Sequence, residues 1–182
     1  PANAARVNVC LILNGGTYLG SGGGSTLGSA VFDDVTLTVT NLTLENASFE
    51  SWSDSTCPNW TSWSNGGGVG WRVTTPAHSG SAFGMTCPTS DAGKGTGIYQ
   101  TVLVQPGKSY TLGAWAITDR NPSAVHMYLQ FLDQAGNELS APGTSGNLWG
   151  VNGGTYSRML LSATAPANAA RVNVCLILNG GT

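Results

Sequence analysis

The sequence predicts an all-β protein. Glycine is abundant, with 26 residues in a chain of 182, and Gly, Asn and Pro separate short runs rich in Val, Thr, Ile and Leu. No segment of convincing length repeats its apolar residues with the helical period. Charged residues are only 9% of the chain, against about 25% in an average globular protein. A chain of this length and composition is expected to form one β-rich domain.

Strand-like segments follow one another with turns or loops between them. In chain order they span residues 5–13, 30–50, 81–86, 95–104, 110–118, 124–133, 155–164 and 170–178, with a Trp- and Gly-rich stretch at 51–75. The long segment 30–50 changes phase, because Val35 and Leu37 share one parity whereas Leu42 and Leu44 have the other. A change of parity reverses the face that a side chain points to. We therefore expect a boundary between two units near residues 40–41.

One 17-residue phrase, PANAARVNVCLILNGGT, occurs at 1–17 and again at 166–182, an offset of 166 − 1 = 165 residues. Three origins fit: a window cut from an array of near-identical units, a processed fragment of such an array, or an engineered permutant with one strand duplicated. In this interpretation 1–40 carries the C-terminal strands of one copy and 41–182 the N-terminal and central part of the next. Residues 18–182 then form one permuted full unit. One globule has room for one such strand, so we expect the other copy to be completed by a neighbouring unit or chain.

Charge and motifs exclude several classes of function. The net charge of −2 gives no electrostatic reason to expect nucleic acid or an anionic membrane as a partner. No apolar run approaches the roughly 20 residues of a membrane span. The two histidines, the scattered acids and the loop glycines form no recognisable glycosidase pair, zinc motif or phosphate cradle. The sequence therefore predicts a non-catalytic protein, and its small polar residues favour an extracellular or cell-surface location.

The cysteines predict one disulfide bond. Cys10 and Cys175 are the same position in two copies, so one unit contains that position together with Cys57 and Cys87. Cys57 and Cys87 each precede a proline in a loop-like context. In an oxidising compartment we expect them to be bonded to each other. The alternative is two unpaired loop thiols.

When one unit is read from residue 41 to 182 and then from 18 to 40, the sequence resembles a known family of binding modules. The matching phrases are ENASFE at the start, HSGSAF, IYQTVLVQPGKSYTLGAWA in the middle, APANAARVNVCLIL, and VFDDVTL at the end. In this order and spacing they resemble the bacterial β-jelly-roll carbohydrate-binding modules appended to xylanases, laminarinases and mannanases, over essentially the whole unit. The resemblance implies two antiparallel sheets facing each other, with the first and last strands adjacent.

The same resemblance implies a structural calcium ion. In such modules the Glu of the opening motif and an Asp of the closing motif are ligands, which correspond here to Glu50 and to Asp33 or Asp34. Carboxylate oxygens from separate segments suit Ca²⁺, and the ion would tie the two ends of the unit together. The alternative is that these carboxylates are solvated edge residues that discourage sheet pairing.

Sugar binding is the activity that the resemblance implies, and strand parity selects candidate residues. The side chains that alternate with apolar rows, and could line one polar and aromatic surface, are Trp115, His126, Tyr128, Gln130 and Asn173. Among the loop tryptophans, Trp63 is the expected exposed platform, whereas Trp60 and Trp71 are expected in the core. The alternative is that Trp115 is a structural aromatic and that Tyr128 only packs.

Two functions are compatible with these observations. The first is an extracellular repeat unit that builds a fibre or cell-surface array from copies of itself through inter-unit strand complementation. The second is a conventional polysaccharide-binding module that tethers an enzyme or a cell to a glycan, present as a permuted or partial unit. Weak sugar sites in an array would gain avidity, so both could hold. Three N-glycosylation patterns, at Asn41, Asn46 and Asn59, lie near the unit junction.

Overall fold

The computed structural model describes residues 6–14, 27–38, 43–88, 94–118, 124–143 and 155–179, and it confirms the all-β prediction. The strands are β1 Arg6–Asn14, β2 Leu27–Thr38, β3 Thr61–Ser64, β4 Gly70–Val73, β5 Ala82–Pro88, β6 Gly95–Leu103, β7 Ser109–Thr118, β8 Ala124–Leu132, β9 Glu138–Ser140, β10 Ser157–Thr164 and β11 Arg171–Asn179. Within these ranges no helix is long and apolar enough to cross a membrane.

The strands form two sheets, as predicted for a two-sheet antiparallel β-sandwich. The second sheet has the order β10-β7-β2-β5-β4. The first sheet has the order β3-β6-β1-β11-β8-β9 when both copies of the repeated strand are counted. Alternate residues of each strand point between the sheets and make one core. Its fully buried members from β7, β8 and β11 include Leu112, Ala116, Val125, Met127, Leu129, Phe131, Val172, Val174, Leu176 and Leu178.

The repeated strand is present twice but has one position in the sheet. Leu11 of β1 and Leu176 of β11 both pair with Met127 of β8. The two copies also pair with each other in parallel, residue for residue, and both pair with β6. Because one position in a sheet holds one strand, β1 and β11 are alternative occupants of a single slot between β6 and β8. With this slot counted once, the first sheet has five strands, β3-β6-slot-β8-β9.

The chain on either side of the expected unit boundary contributes to the same core. Phe32 and Val35 of β2 pack in one cluster with Leu44 and Phe49, which follow the boundary. The amide of Val35 donates to the carbonyl of Ala47 at 3.0 Å. Residues 40–41, where the boundary was expected, lie outside the described residues. Strand β2 and the segment that follows it are therefore parts of one globule.

The predicted Cys57–Cys87 disulfide is wrong, because both cysteines are free and buried. Cys57 lies in the segment that closes one end of the sandwich, where its sulfur accepts a hydrogen bond from Asn46 Nδ2 at 3.2 Å. Burial raises the pKa of the Cys57 thiol to about 12. Cys87 lies on β5 and faces the core, where burial also raises its pKa. Both thiols act as small apolar groups in the core. The disulfide was predicted because each cysteine precedes a proline, which had suggested an exposed loop.

Candidate functional site

The outward side of the first sheet carries an aromatic surface. The inner rows of β6, β8 and β11 belong to the core, so the alternate residues of these strands point outward. The apolar members pack together as one cluster, which we call the outer aromatic face: Trp63, Tyr99, Tyr128, Cys175 and Ile177. Trp63 pairs with Gly97 across β3 and β6. The side chain of Trp63 is half-buried in this cluster.

A row of polar side chains borders the outer aromatic face. Asn173 Nδ2 donates to Gln130 Oε1, and Gln130 Nε2 donates to Glu138 Oε2 at 2.5 Å. Asn173 and Gln130 are direct cross-strand partners. The Oδ1 atom of Asn173 is buried and accepts no hydrogen bond from the described residues. A buried acceptor without a donor is costly, so this atom is suited to a ligand hydroxyl or a water molecule.

Tyr128 occupies the centre of this surface. His126 lies beside it on the same strand, with the ring centroids 5.8 Å apart. A Cβ atom at Gly143 would overlap Tyr128 Cε1, so only glycine permits the loop to approach this ring so closely. Burial raises the pKa of the Tyr128 phenol. The hydroxyl therefore stays protonated at neutral pH and can donate a hydrogen bond.

The structure places Trp115 away from the other predicted sugar-binding residues. Trp115 lies on β7 of the second sheet, whereas Tyr128, His126, Gln130 and Asn173 lie on β8 and β11 of the first. The indole of Trp115 stacks on the ring of His78, with centroids 4.4 Å apart and planes 13° apart. The structure therefore brings five of the six predicted ligand residues to one sheet and leaves Trp115 on the other.

The three predicted calcium ligands all contact the segment His78–Ser81. Asp33 Oδ2 accepts from the amide of Ser79 at 2.7 Å, and Asp34 Oδ2 contacts His78 Nδ1 at 2.7 Å. Glu50 accepts from the amide of Ser81 at 3.1 Å. Asp34 has a φ of 47°, and the pairing of β2 with β7 shifts register between Asp33 and Thr36. This β-bulge lets two consecutive carboxylates reach the same segment.

Hydrogen-bond donors of the protein already satisfy much of the carboxylate cluster. Asp33 is buried, and this desolvation raises its pKa, although the amides of Ser79 and Asp34 oppose the shift. Within the described ranges, no group of three or more His, Cys, Asp or Glu side chains is arranged to hold a metal ion. The carboxylates therefore provide hard oxygen atoms on both sides of one segment without forming a complete ligand shell by themselves.

Sequence reasoning missed several residues of these surfaces. Tyr99 faces outward between the buried Ile98 and Gln100, and strand alternation was the signal that could have found it. Glu138 and Tyr156 had no such signal, because their contacts join segments far apart in the chain. The prediction that Trp71 is a core residue was wrong, since it is 37% exposed on the edge strand β4, whereas Trp60 is buried as predicted.

The predicted glycosylation sites differ in how accessible their side chains are. The Nδ2 atom of Asn46, to which a glycan would be attached, donates to Ser51 O at 2.9 Å and Pro58 O at 3.3 Å. Asn59 is exposed in the described structure. Asn41 lies outside the described residues. A glycan on Asn46 would require this segment to open, whereas Asn59 is accessible in the folded chain.

Comparison with known proteins adds no relative. No family model matches the chain, and neither the curated proteins nor the solved structures include a significant match.

Proposed function

We propose that this chain is a non-catalytic repeat unit of an extracellular or cell-surface array, in which a strand of one unit completes the sandwich of another. The observation that carries the proposal is the common register of β1 and β11 against β8. Val172, Val174, Leu176 and Leu178 are fully buried when β11 fills the slot. An empty slot would expose this part of the core, and an identical strand from any source restores the same contacts.

The connectivity of the fold supports an array. Strand β2 and the segments after residue 43 share one core, so a globule spans β2 to β11 of one chain. In a tandem protein of period 165, each globule then has one slot and one copy of the strand. The low charge and the small polar residues of the chain suit an extracellular surface.

Complementation in trans tests the proposal. The double variant Leu11→Asp/Leu176→Asp disables both copies and has an unfilled slot. When it is refolded with wild-type chain, we expect a 1:1 complex by light scattering, because the wild-type chain has a copy to donate. The single variant Leu11→Asp is the matched control, since its remaining copy fills its own slot. The proposal is contradicted if the double variant binds neither the wild-type chain nor the Leu11→Asp variant, or if it binds these two chains equally.

A second candidate function is binding of polysaccharide at the outer aromatic face, as the resemblance to carbohydrate-binding modules implies. The supporting observation is that aromatic rings lie beside a polar row, in which Asn173 Oδ1 is a buried acceptor without a donor among the described residues. Aromatic rings cover the apolar side of a sugar, and precisely placed polar groups orient it. Such a module would tether an enzyme or a cell to a glycan.

We also propose calcium as a structural ligand, which Glu50 and Asp33 or Asp34 would hold against the segment His78–Ser81. A bound Ca²⁺ would supply charge neutralisation for these clustered carboxylates. We expect a chelator to lower the melting temperature of wild-type protein, because an ion that binds only the folded state stabilises it. The variant Glu50→Gln should melt at the same temperature with and without chelator. An unchanged melting temperature of the wild-type protein contradicts a calcium site.

A further inference from the structure

Strand β10 is the longest sheet edge among the described strands. It spans eight residues, Ser157–Thr164, whereas the other edge strands β3, β4 and β9 span four, four and three residues. Its pairing with β7 continues over its whole length without a register shift. It contains no proline, and Arg158 is its one charged residue. Short length, bulges, prolines and charges usually protect a sheet edge, so β10 has little protection against pairing with another strand.

The backbone groups that face this edge belong to the even-numbered residues of β10. Ala165 N donates to Lys108 O at 2.9 Å, and this pair continues the register of β10 against β7. Along an antiparallel ladder, hydrogen-bonded pairs alternate with pairs that are not hydrogen-bonded. The odd-numbered residues of β10 therefore bond to β7, and the N–H and C=O groups of Leu160 and Ser162 point toward the edge. Both residues are exposed.

The side chains of β10 suit a second copy of the same strand. Leu160 is 56% exposed on the outward side of the sheet, and a two-fold axis at this residue places it opposite its own copy. In the same antiparallel register Met159 lies opposite Leu161 on the core side. On the outward side the positive charge of Arg158 lies opposite Ser162. No charge then faces a like charge, an arrangement that would be destabilising.

We propose that two molecules of this chain pair through β10, antiparallel about a two-fold axis at Leu160. The second sheets of both molecules then form one continuous sheet, with five strands from each molecule. Main-chain hydrogen bonds supply the contact, as in other strand additions, and one patch serves both partners, as a two-fold interface requires. The pairing covers Leu160 and the partly buried Leu161 and Ala163. It goes beyond the proposed function and does not use the repeated strand.

A charge exchange at residue 160 tests this pairing by sedimentation equilibrium of the full chain. Leu160→Lys and Leu160→Glu each place like charges opposite each other across the axis, so each variant alone should associate at least about tenfold more weakly than the wild-type chain. An equimolar mixture should recover association, because the lysine of one molecule then faces the glutamate of the other. Val69→Lys is the matched control, since Val69 is 61% exposed next to β4 at the opposite edge of the same sheet. It should associate like the wild-type chain.

Hydrogen exchange of single amides, measured by NMR, gives a local readout of the same pairing. In the wild-type chain at a concentration where it associates, the Ser162 amide should be protected. In Leu160→Lys this amide should exchange faster. The amides of Leu161 and Ala163 should stay protected in both chains, because they bond to β7. Equal exchange of the Ser162 amide in the two chains would overturn the pairing.

Two further outcomes would overturn the pairing at β10. The first is a wild-type chain that stays monomeric, or a Leu160→Lys variant that associates like wild type. The second is a mixture of the lysine and glutamate variants that associates no more strongly than either variant alone. None of these substitutions touches the repeated strand, so association through that strand contributes equally to every chain compared. The proposed function can therefore fail in its own complementation test without changing this comparison.

Discussion

At the scale of single residues, Asn46 organises the segment that closes one end of the sandwich. Its side chain donates to Ser51 O and Pro58 O and accepts from the amide of Ser51. Its backbone has a φ of 48°, and its carbonyl accepts from the indole of Trp60 at 3.0 Å. The left-handed backbone region suits asparagine better than most residues. Asn46 lies in a glycosylation pattern, but its hydrogen bonds here hold the segment together.

We expect Asn46→Ala to lower the free energy of unfolding by about 2–4 kcal/mol, since it removes several hydrogen bonds and places alanine in the left-handed region. Asn59→Ala is the control, because Asn59 is exposed and also has a positive φ, of 69°. It shares the backbone cost and should lose only about 1–2 kcal/mol. Urea unfolding measures both. Equal losses in the two variants would show that the side-chain bonds of Asn46 contribute nothing.

The buried thiols give a second prediction at this scale. With a pKa of about 12 for Cys57, the thiolate fraction at pH 8 is about 10⁻⁴. Cys57 and Cys87 should therefore resist iodoacetamide in the native protein. Both should be labelled in urea without reductant, because neither is in a disulfide. Peptide mapping by mass spectrometry reads out each site. If Cys57 and Cys87 both stay unlabelled in unreduced, denatured protein, the prediction of two free thiols is contradicted and the disulfide that the sequence suggested is supported.

At the scale of strands, alternation in the sequence predicted which residues face the core. The inner rows of β7, β8 and β11 are the predicted ones, and Tyr128 and Asn173 point away from them. Alternation assigns a residue to one face of its own strand but does not say which sheet the strand joins. Trp115 was grouped with Tyr128 for this reason, although β7 and β8 belong to different sheets. Sheet membership depends on long-range pairing, which no local pattern contains.

Tertiary contacts also override residue type. Gln100 looks like an outward residue in the sequence, yet it is buried and bonds the backbone of Glu45 and Asn59. Its amide satisfies backbone groups of a segment more than 40 residues away, as buried polar groups usually do. The indole of Trp71 lies over Gly84, where a Cβ atom would be 2.7 Å from Trp71 Cε2. These contacts could not be predicted without the register of the sheets.

The shared slot makes a prediction about redundancy between strands. Leu176 is fully buried, and Leu11 holds the same position opposite Met127. An aspartate at a filled core position should cost more than about 4 kcal/mol. Because the other copy can enter the slot, Leu11→Asp and Leu176→Asp should each stay folded and lose much less than this. The double variant should lose the full amount.

Urea unfolding of the two single variants and the double variant measures this non-additivity. The interaction free energy of the cycle should exceed about 2 kcal/mol, since each copy replaces the other only while one is intact. If Leu176→Asp alone is as unstable as the double variant, β1 cannot replace β11 and the slot belongs to β11 alone. The cause would then be the hydrogen bond that fixes the residue before β11, in which Ala170 N donates to Leu132 O at 2.7 Å.

At the scale of the whole molecule, the two sheets present different outward surfaces. The first sheet carries the outer aromatic face and the polar row of Asn173, Gln130 and Glu138. Over the second sheet, the ring of His78 lies on Trp115 and against the edge of Tyr156. One sheet therefore offers an aromatic surface bordered by a polar row, and the other is partly covered by its own loop. This asymmetry makes a matched experiment available.

If the outer aromatic face binds polysaccharide, Trp63→Ala should weaken binding at least tenfold, which corresponds to about 1.4 kcal/mol. Trp115→Ala is the same chemical change on the opposite sheet, where the indole stacks on His78. It should leave affinity unchanged and lower only the stability of the fold, because it leaves the contacts of the outer aromatic face intact. Affinity electrophoresis in gels that contain xylan, mannan or β-glucan measures retardation of the folded chain. A wild-type chain that no polysaccharide retards, or a Trp63→Ala variant retarded as strongly as wild type, would exclude this face as a glycan site.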